Sequence, residues 1–194
     1  MTEKLLLIDG YSILRKAFYG LPSEGKADTV PVNAVYGFLN LFFHVMQEYT
    51  PAYVAAVLSE DAMDQPPEEF KEQLPVLKKV LDAMQISTIS AGGRSAADVL
   101  NSASSDENGE TLILTGDRRL LQAASQDTMV LIPVMTAGKA QLQCYHAADV
   151  QNEFMVMPAQ WPQLRALAGD PQHAVCGIPG MGERAAPRLL RTYG

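Results

Sequence analysis

Three aspartates and one arginine pose the chemical question. Asp9 closes the apolar run of residues 4–8, and Asp117 follows the apolar run 111–114 through Thr115-Gly116. Asp98 ends the segment Ser95-Ala96-Ala97-Asp98. Strands of an open parallel sheet end along one edge, and ligands bind at that edge. Asp9 and Asp117 are therefore expected to meet in space, with Asp98 a third candidate. Carboxylates gathered there suit a hard divalent cation, which prefers oxygen ligands. The bland readings are a turn at Asp9-Gly10, a helix cap at Asp117 and an ordinary exposed helix residue at Asp98. Arg119 opposes the metal: its guanidinium can pair with Asp117 bidentately where a cation would sit, and would repel one.

A second constellation lies near the end of the chain. Gly177-Ile178-Pro179-Gly180-Met181-Gly182 precedes Glu183-Arg184-Ala185-Ala186. Gly180 and Gly182 permit a tight turn that leaves amide N–H groups exposed at a helix start, a nest for a phosphate oxygen. Arg184, Arg188 and Arg191 recur along one side of the following helix. Such contacts grip a nucleic-acid backbone without reading its sequence. The alternative is a glycine-rich helix connection with solvated arginines.

The elements that must position these residues read as an α/β chain. Strands are expected at 4–8, 53–58, 86–90, 111–114, 129–133 and 141–145, the last one antiparallel and joined through Thr136-Ala137-Gly138. Helices are expected at 12–19, from Pro31 with Val35, Phe38, Leu39, Phe42 and Met46 on one face, at 66–84 with Pro75 kinking or interrupting it, and at 95–104. Residues 21–30 read as a loop. From residue 147 only helices follow, among them 158–167 and 184–193. The boundaries are thus 1–146 for the α/β core and 147–194 for the helical region.

With 47% hydrophobic and 19% charged residues in 194, the composition is that of an ordinary globular chain. The formal net charge of −7 gives no global basic field, so any nucleic-acid contact must be local. The two cysteines, Cys144 and Cys176, lack metal-ligand spacing, and His44, His146 and His173 have no partners at catalytic spacing. A reduced, cytoplasmic protein without a membrane span or signal peptide is expected.

Four segments together, residues 5–22, 30–46, 112–122 and 167–194, resemble the 5′-3′ exonuclease domain of bacterial DNA polymerase I, in the flap-endonuclease family. The resemblance implies a Rossmann-like, PIN-type, mostly parallel sheet with helices on both faces, followed by a small helix–hairpin–helix region. It also implies two-metal phosphodiester hydrolysis on DNA with a 5′ end, flap or nick. On matched positions Asp9, Asp98, Asp117 and Asp170 remain as metal ligands. The family's acids are replaced at Ser59, Ser95, Ala97, Arg119 and His173, and residues 60–66 stand where the family has a longer arch. The implied cofactor is one Mg²⁺ or none, with Mn²⁺ as substitute, and a monovalent cation at the hairpin. The implied partner is DNA, held through Lys16, Gly180, Gly182, Arg184 and Arg188 without sequence specificity. The expectation is a DNA-binding relative whose hydrolysis is lost or much reduced. The competing expectations are an active nuclease with a reduced metal site, aided by Glu60 or Asp61, and a protein-binding scaffold.

Overall fold

The computed structural model describes residues 3–21, 26–27, 30–59, 66–104, 109–136 and 139–193. Glu60, Asp61, Ala137 and Gly138 lie outside them. The chain runs β1 (Lys4–Asp9), α1 (Gly10–Gly20), β2 (Lys26–Ala27), β3 (Val30–Pro31), α2 (Asn33–Tyr49), β4 (Tyr53–Val57), α3 (Glu68–Lys71), α4 (Gln73–Ala83), β5 (Ser87–Ile89), α5 (Ala96–Ala103) and β6 (Glu110–Leu114). A 3-10 turn over Arg118–Ala123 leads to β7 (Thr128–Thr136), β8 (Lys139–Tyr145) and α6 (Ala147–Phe154). A 3-10 turn at Pro158–Gln160 runs into α7 (Trp161–Ala168). Another at Pro171–His173 precedes the glycine hairpin and α8 (Ala185–Tyr193).

Six strands form one sheet in the order β5-β4-β1-β6-β7-β8. All pairs are parallel except β7 with β8, an antiparallel hairpin in which Thr136 faces Lys139. The chain builds outward from β1 to one edge and then returns to the other side of β1. The reversal between β1 and β6 opens a crevice at their carboxyl ends, where such sheets bind ligands.

Side chains alternate across the pleat and divide the core. Leu6 and Ile8 of β1 pack with Ile13, Leu14, Phe38, Phe42, Phe70 and Leu77 on one face. Leu7 faces the other way, in a cluster with Ile113, Val130, Leu100, Leu120 and Val57. That second cluster also contains Val150, Trp161, Leu164, Ala186 and Leu190. The helical region from residue 147 therefore shares the core on that face of the sheet with α5 and the 3-10 turn over Arg118–Ala123.

Several local expectations differ from the structure. Residues 26–27 and 30–31 form a two-residue antiparallel ribbon inside the expected loop, and Pro31 belongs to it, so α2 begins two residues later. The expected helix 66–84 breaks at Glu72, not at Pro75. Pro75 lies in the first turn of α4, where its missing N–H has no intrahelical partner to lose. The expected helix 158–167 begins as a 3-10 turn and becomes α-helical at Trp161.

One buried amide holds the first face together. The N-terminus of α2 receives no side-chain cap from its own N-cap residue, Val32. Gln73 of α4, fully buried, supplies it: Oε1 accepts from the Ala34 and Val35 amides at 2.9 and 3.4 Å. Its Nε2 donates to Asn33 Oδ1 at 3.0 Å and to the Glu69 carbonyl at 3.2 Å.

Candidate functional site

The crevice between β1 and β6 is a cleft of about 680 Å³. Asp9, at the end of β1, and Asp117, just past β6, both line it. Asp9 is 3% exposed, and its carboxylate is held by neutral donors. Oδ1 accepts from the Ser12 amide at 3.2 Å as the cap of α1, and Oδ2 accepts from the Thr115 hydroxyl at 2.9 Å. Thr115 Oγ1 in turn accepts from the Asp117 amide, and Ser12 Oγ from the Gly116 amide, both at 2.9 Å. The two strand ends are thus stitched by hydroxyls.

Asp117 is engaged by Arg119. Its Oδ1 accepts from the Arg119 amide at 2.8 Å, and Oδ2 accepts from Nε and Nη2 at 2.7 Å each. The guanidinium lies against the carboxylate, as its place in the sequence suggests. His173 approaches the same oxygen from the helical region, with Nε2 at 3.9 Å. Its Nδ1 lies 2.9 Å from Asp170 Oδ2, and Arg165 grips Asp170 at 3.2 Å. Arg165 also reaches Glu183, ahead of α8, at 3.6 Å. A chain of polar contacts therefore runs from Glu183 at the hairpin base through Arg165, Asp170 and His173 to Asp117 at the sheet edge.

The remaining candidates divide between cleft and elsewhere. Ser59, Ser95, Lys16 and His173 line the cleft. Ser59 Oγ donates to the Arg94 carbonyl at 3.4 Å, and Ser95 caps α5 by accepting from the Asp98 amide at 3.1 Å. Ala97 points into the second core cluster. Asp98 is exposed on α5 and does not line the cleft, because the cap at Ser95 sets the helix phase and turns Ala97 inward instead. Asp170 is 5% exposed and paired with Arg165 and His173. Lys16 donates Nζ to the Pro133 carbonyl, and burial, then Arg118, push its ammonium below the ordinary value.

Of the four residual ligand positions, Asp9 and Asp117 share the cleft, Asp170 is linked to it through His173, and Asp98 does not line it. Among the described residues no three of His, Cys, Asp and Glu are grouped so as to hold a metal ion. The oxygens of Asp9 and Asp117 have internal donors, and those of Asp170 have Arg165 and His173. The described residues do not fit a carboxylate-built metal centre. Sequence reading missed Thr115 and Ser12, which bind the cleft together, and Arg94, which brings a further cation to its wall.

The hairpin closes between α7 and α8. Gly177 has φ +68°, and a Cβ there would meet the Gly169 nitrogen at 2.5 Å, so only glycine fits this close crossing. The Ile178 amide donates to Leu167 at 2.8 Å, tying the loop to α7, and Gly180 turns at φ +81°. Arg188 and Arg191 are exposed on α8, and Arg184 is exposed in the turn before it, since the helix begins at Ala185 and not at residue 184.

Residues 4–155 match the family described as 5′-3′ exonuclease, N-terminal resolvase-like domain. The chain belongs to that family. It is 33% identical over 209 residues to DNA polymerase I of Mycobacterium leprae, covering 98% of this chain and 23% of that protein. The chain thus spans about a quarter of the length of the DNA polymerase I relatives it matches. It is also 29% identical over 216 residues to a 5′-3′ exonuclease of Streptomyces coelicolor, covering 97% of this chain and 72% of that one. A solved structure of the bacteriophage T5 D15 protein, co-crystallized with metal ions, superposes with a TM-score of 0.77 at 14% identity. It covers 99% of this chain and 76% of the T5 chain. That likeness is one of fold: a mostly parallel α/β sheet of the PIN-like kind. No helix among the described residues is long and apolar enough to cross a membrane.

The two buried carboxyls make opposite contributions to stability as pH changes. Burial pushes Asp9 above its ordinary value of 3.8, with the Ser12 and Thr115 hydrogen bonds offsetting part and Asp117 adding to the rise. Its charge thus opposes folding at neutral pH, and the penalty is relieved as pH falls toward 3.8. Burial also works against the charge of Asp170, but hydrogen bonds from Arg165 and His173 outweigh it and hold this carboxyl below 3.8. Its contribution is present above 3.8 and is lost as pH falls through the depressed value. Thermal melts of Asp9→Asn should show higher stability than the parent at pH 7, the difference closing as pH approaches 3.8. A constant difference across that window would contradict the burial argument.

Proposed function

We propose that this chain is a DNA-binding member of the 5′-3′ exonuclease family whose metal-dependent phosphodiester hydrolysis is lost or much reduced. The observation that carries this reading is the Arg119–Asp117 pair, which places a fixed cation in the crevice where hydrolysis would require divalent ions. Related structures, such as T5 5′-exonuclease with bound zinc, hold divalent metal ions. Here Asp98 lies outside the crevice and Asp9, Asp117 and Asp170 are engaged internally, which supports the loss of the metal over the single Mg²⁺ that the sequence left open. The grip on DNA is assigned to the region 147–194. The amides near Gly180 and Gly182 take a backbone phosphate, and the exposed Arg184 and Arg188 supply the positive charge the whole chain lacks. A monovalent cation at the hairpin would belong to the same contact. Lys16, committed to the Pro133 carbonyl, is assigned to the cleft and not to the duplex.

The test is a cleavage assay on 5′-flap and nicked duplexes with Mg²⁺ or Mn²⁺, for which no product is expected. Metal-dependent cleavage that disappears in Asp9→Ala and Asp117→Ala would overturn the loss of hydrolysis and establish a working nuclease with a reduced site.

A further inference from the structure

We infer that β8 is the seam of a twofold dimer, in which it pairs antiparallel with β8 of a second copy of this chain and continues the six-stranded sheet from one copy into the other. The inference draws on neither the crevice nor the hairpin, and so stands apart from the proposed DNA contact. β8 is the last strand of the sheet, with β7 as its neighbour on one side. An edge strand presents a row of unpaired N–H and C=O groups, which proteins commonly blunt with short length, proline, charge or a bulge. Lys139–Tyr145 is seven residues long, has no proline, and keeps an unbroken register with β7. Lys139 is its one charged residue. The opposite edge, β5, has three residues.

The hairpin dictates where each amide of β8 points. Thr136 and Lys139 face each other across the turn as a hydrogen-bonded pair, and so, at every second position, do Val134 with Gln141, Ile132 with Gln143 and Val130 with Tyr145. The intervening Ala140, Leu142 and Cys144 turn their N–H and C=O groups away from β7. Pro133, which has no N–H to give, stands opposite Leu142 at one of these positions. Among the described residues no backbone group outside the strand meets the outward amides. The Leu142 carbonyl has only Cys144 Sγ near it, at 4.0 Å.

Groups so directed select a strand as their occupant, and the sequence of β8 selects its own copy. With Leu142 on the twofold axis all three outward residues pair at once: Leu142 with its copy, and Ala140 with Cys144 of the second copy. An axis at Gln141 or Gln143 leaves one of the three without a partner in the strand. In the Leu142 register Gln141 falls opposite Gln143, twice over. Both are exposed, and Gln143 Oε1 already accepts from the Tyr145 hydroxyl at 3.2 Å. The Gln143 amide N–H groups are thus left to donate to Gln141 across the seam. Lys139 falls in register with Tyr145, whose hydroxyl lies 3.3 Å from Glu153 of α6. A basic position therefore comes toward an acidic residue at each end of the seam, and no like charges oppose along β8, although the chain carries −7. Because the two strands run antiparallel, the carboxyl edges of the two sheets face opposite ways and both crevices stay open.

The experiment is sedimentation velocity with light scattering on the whole chain, under reducing conditions so that the exposed Cys144 and Cys176 form no disulfide. Concentrations run from about 1 μM to about 1 mM, over which the parent should pass reversibly from monomer to dimer. Gln141→Lys with Gln143→Lys sets like charges against each other at two places and should weaken the dimer by about tenfold or more. Gln141→Lys with Gln143→Glu sets opposite charges at the same two places and should restore it. Both positions are exposed, so these variants keep the fold, and the reciprocal rescue belongs to this register alone. Leu142→Pro removes the central outward N–H without taking a hydrogen bond from the β7–β8 pair, and should leave a monomer. A parent that stays monomeric throughout would overturn the inference, as would a dimer that the two lysines leave unchanged. A lysine–glutamate variant as weak as the double lysine, or a Leu142→Pro chain that dimerises as the parent does, would overturn it equally.

Discussion

Replacing Gln73 with leucine is expected to remove about 3 kcal/mol of stability, lowering the melting temperature by about 6–12 °C. The side chain is fully buried and bridges α2 and α4. Leucine has nearly the same volume, so the loss is one of hydrogen bonding, not of packing. The Ala34 and Val35 amides would lose their acceptor, and Asn33 Oδ1 a donor, and all three residues are buried. Each orphaned buried group costs about 1–3 kcal/mol, because the desolvation it suffered on folding is no longer compensated. The check is chemical denaturation with an unchanged denaturant slope, which shows that the native and unfolded states keep their extents. A loss below about 1 kcal/mol would mean that water reaches these amides, and the interhelical cap would lose its importance.

Reversing charge at Arg184 and Arg188 together is expected to abolish duplex DNA binding while leaving the fold intact. Both side chains are exposed, Arg184 in the turn just before α8 and Arg188 on it, whereas Ala186 and Leu190 anchor that helix in the core. Parent binding should be micromolar or weaker, since the net charge of −7 opposes approach elsewhere. Its logarithm should fall with that of salt at a slope of roughly −1 to −3, one counterion for each phosphate neutralised. Fluorescence anisotropy with unrelated duplex sequences checks both slope and indifference to sequence. Unaltered binding by the double variant would remove the hairpin as the contact. No binding by the parent at low salt would leave a protein-binding scaffold as the better account.

The fold was legible wherever one periodicity dominated. Residues 4–8 and 111–114 are unbroken apolar runs ending in turn residues, which marks buried parallel strands. The meeting of Asp9 and Asp117 follows from that alone. For Asp98 the sequence left two readings open, a third ligand or an exposed helix residue, because order along the chain says nothing about helix phase, and the structure has it exposed on α5. Ser95 sets the phase by capping, and the inward position falls to Ala97. Gln73 carried no signal: a glutamine in a helix is unremarkable until its partners appear 39 residues away in Ala34, a donor, and 40 away in Asn33, an acceptor. The Arg165–Asp170–His173 network was equally silent, since it depends on the turn at Gly169, whose φ is +91°. Arg119 was readable because a pair two residues apart needs no knowledge of the fold.

The second core cluster joins Leu7 and Ile113 of the sheet to Trp161, Leu164, Ala186 and Leu190 of the helical region. The sheet and the helices that flank the hairpin consequently share one buried core. A strand held at Arg184 and Arg188 would therefore meet the crevice a set number of nucleotides further along, whatever its sequence. The protein in that case works as a ruler: core packing marks off the interval between the point of grip and the point of inspection.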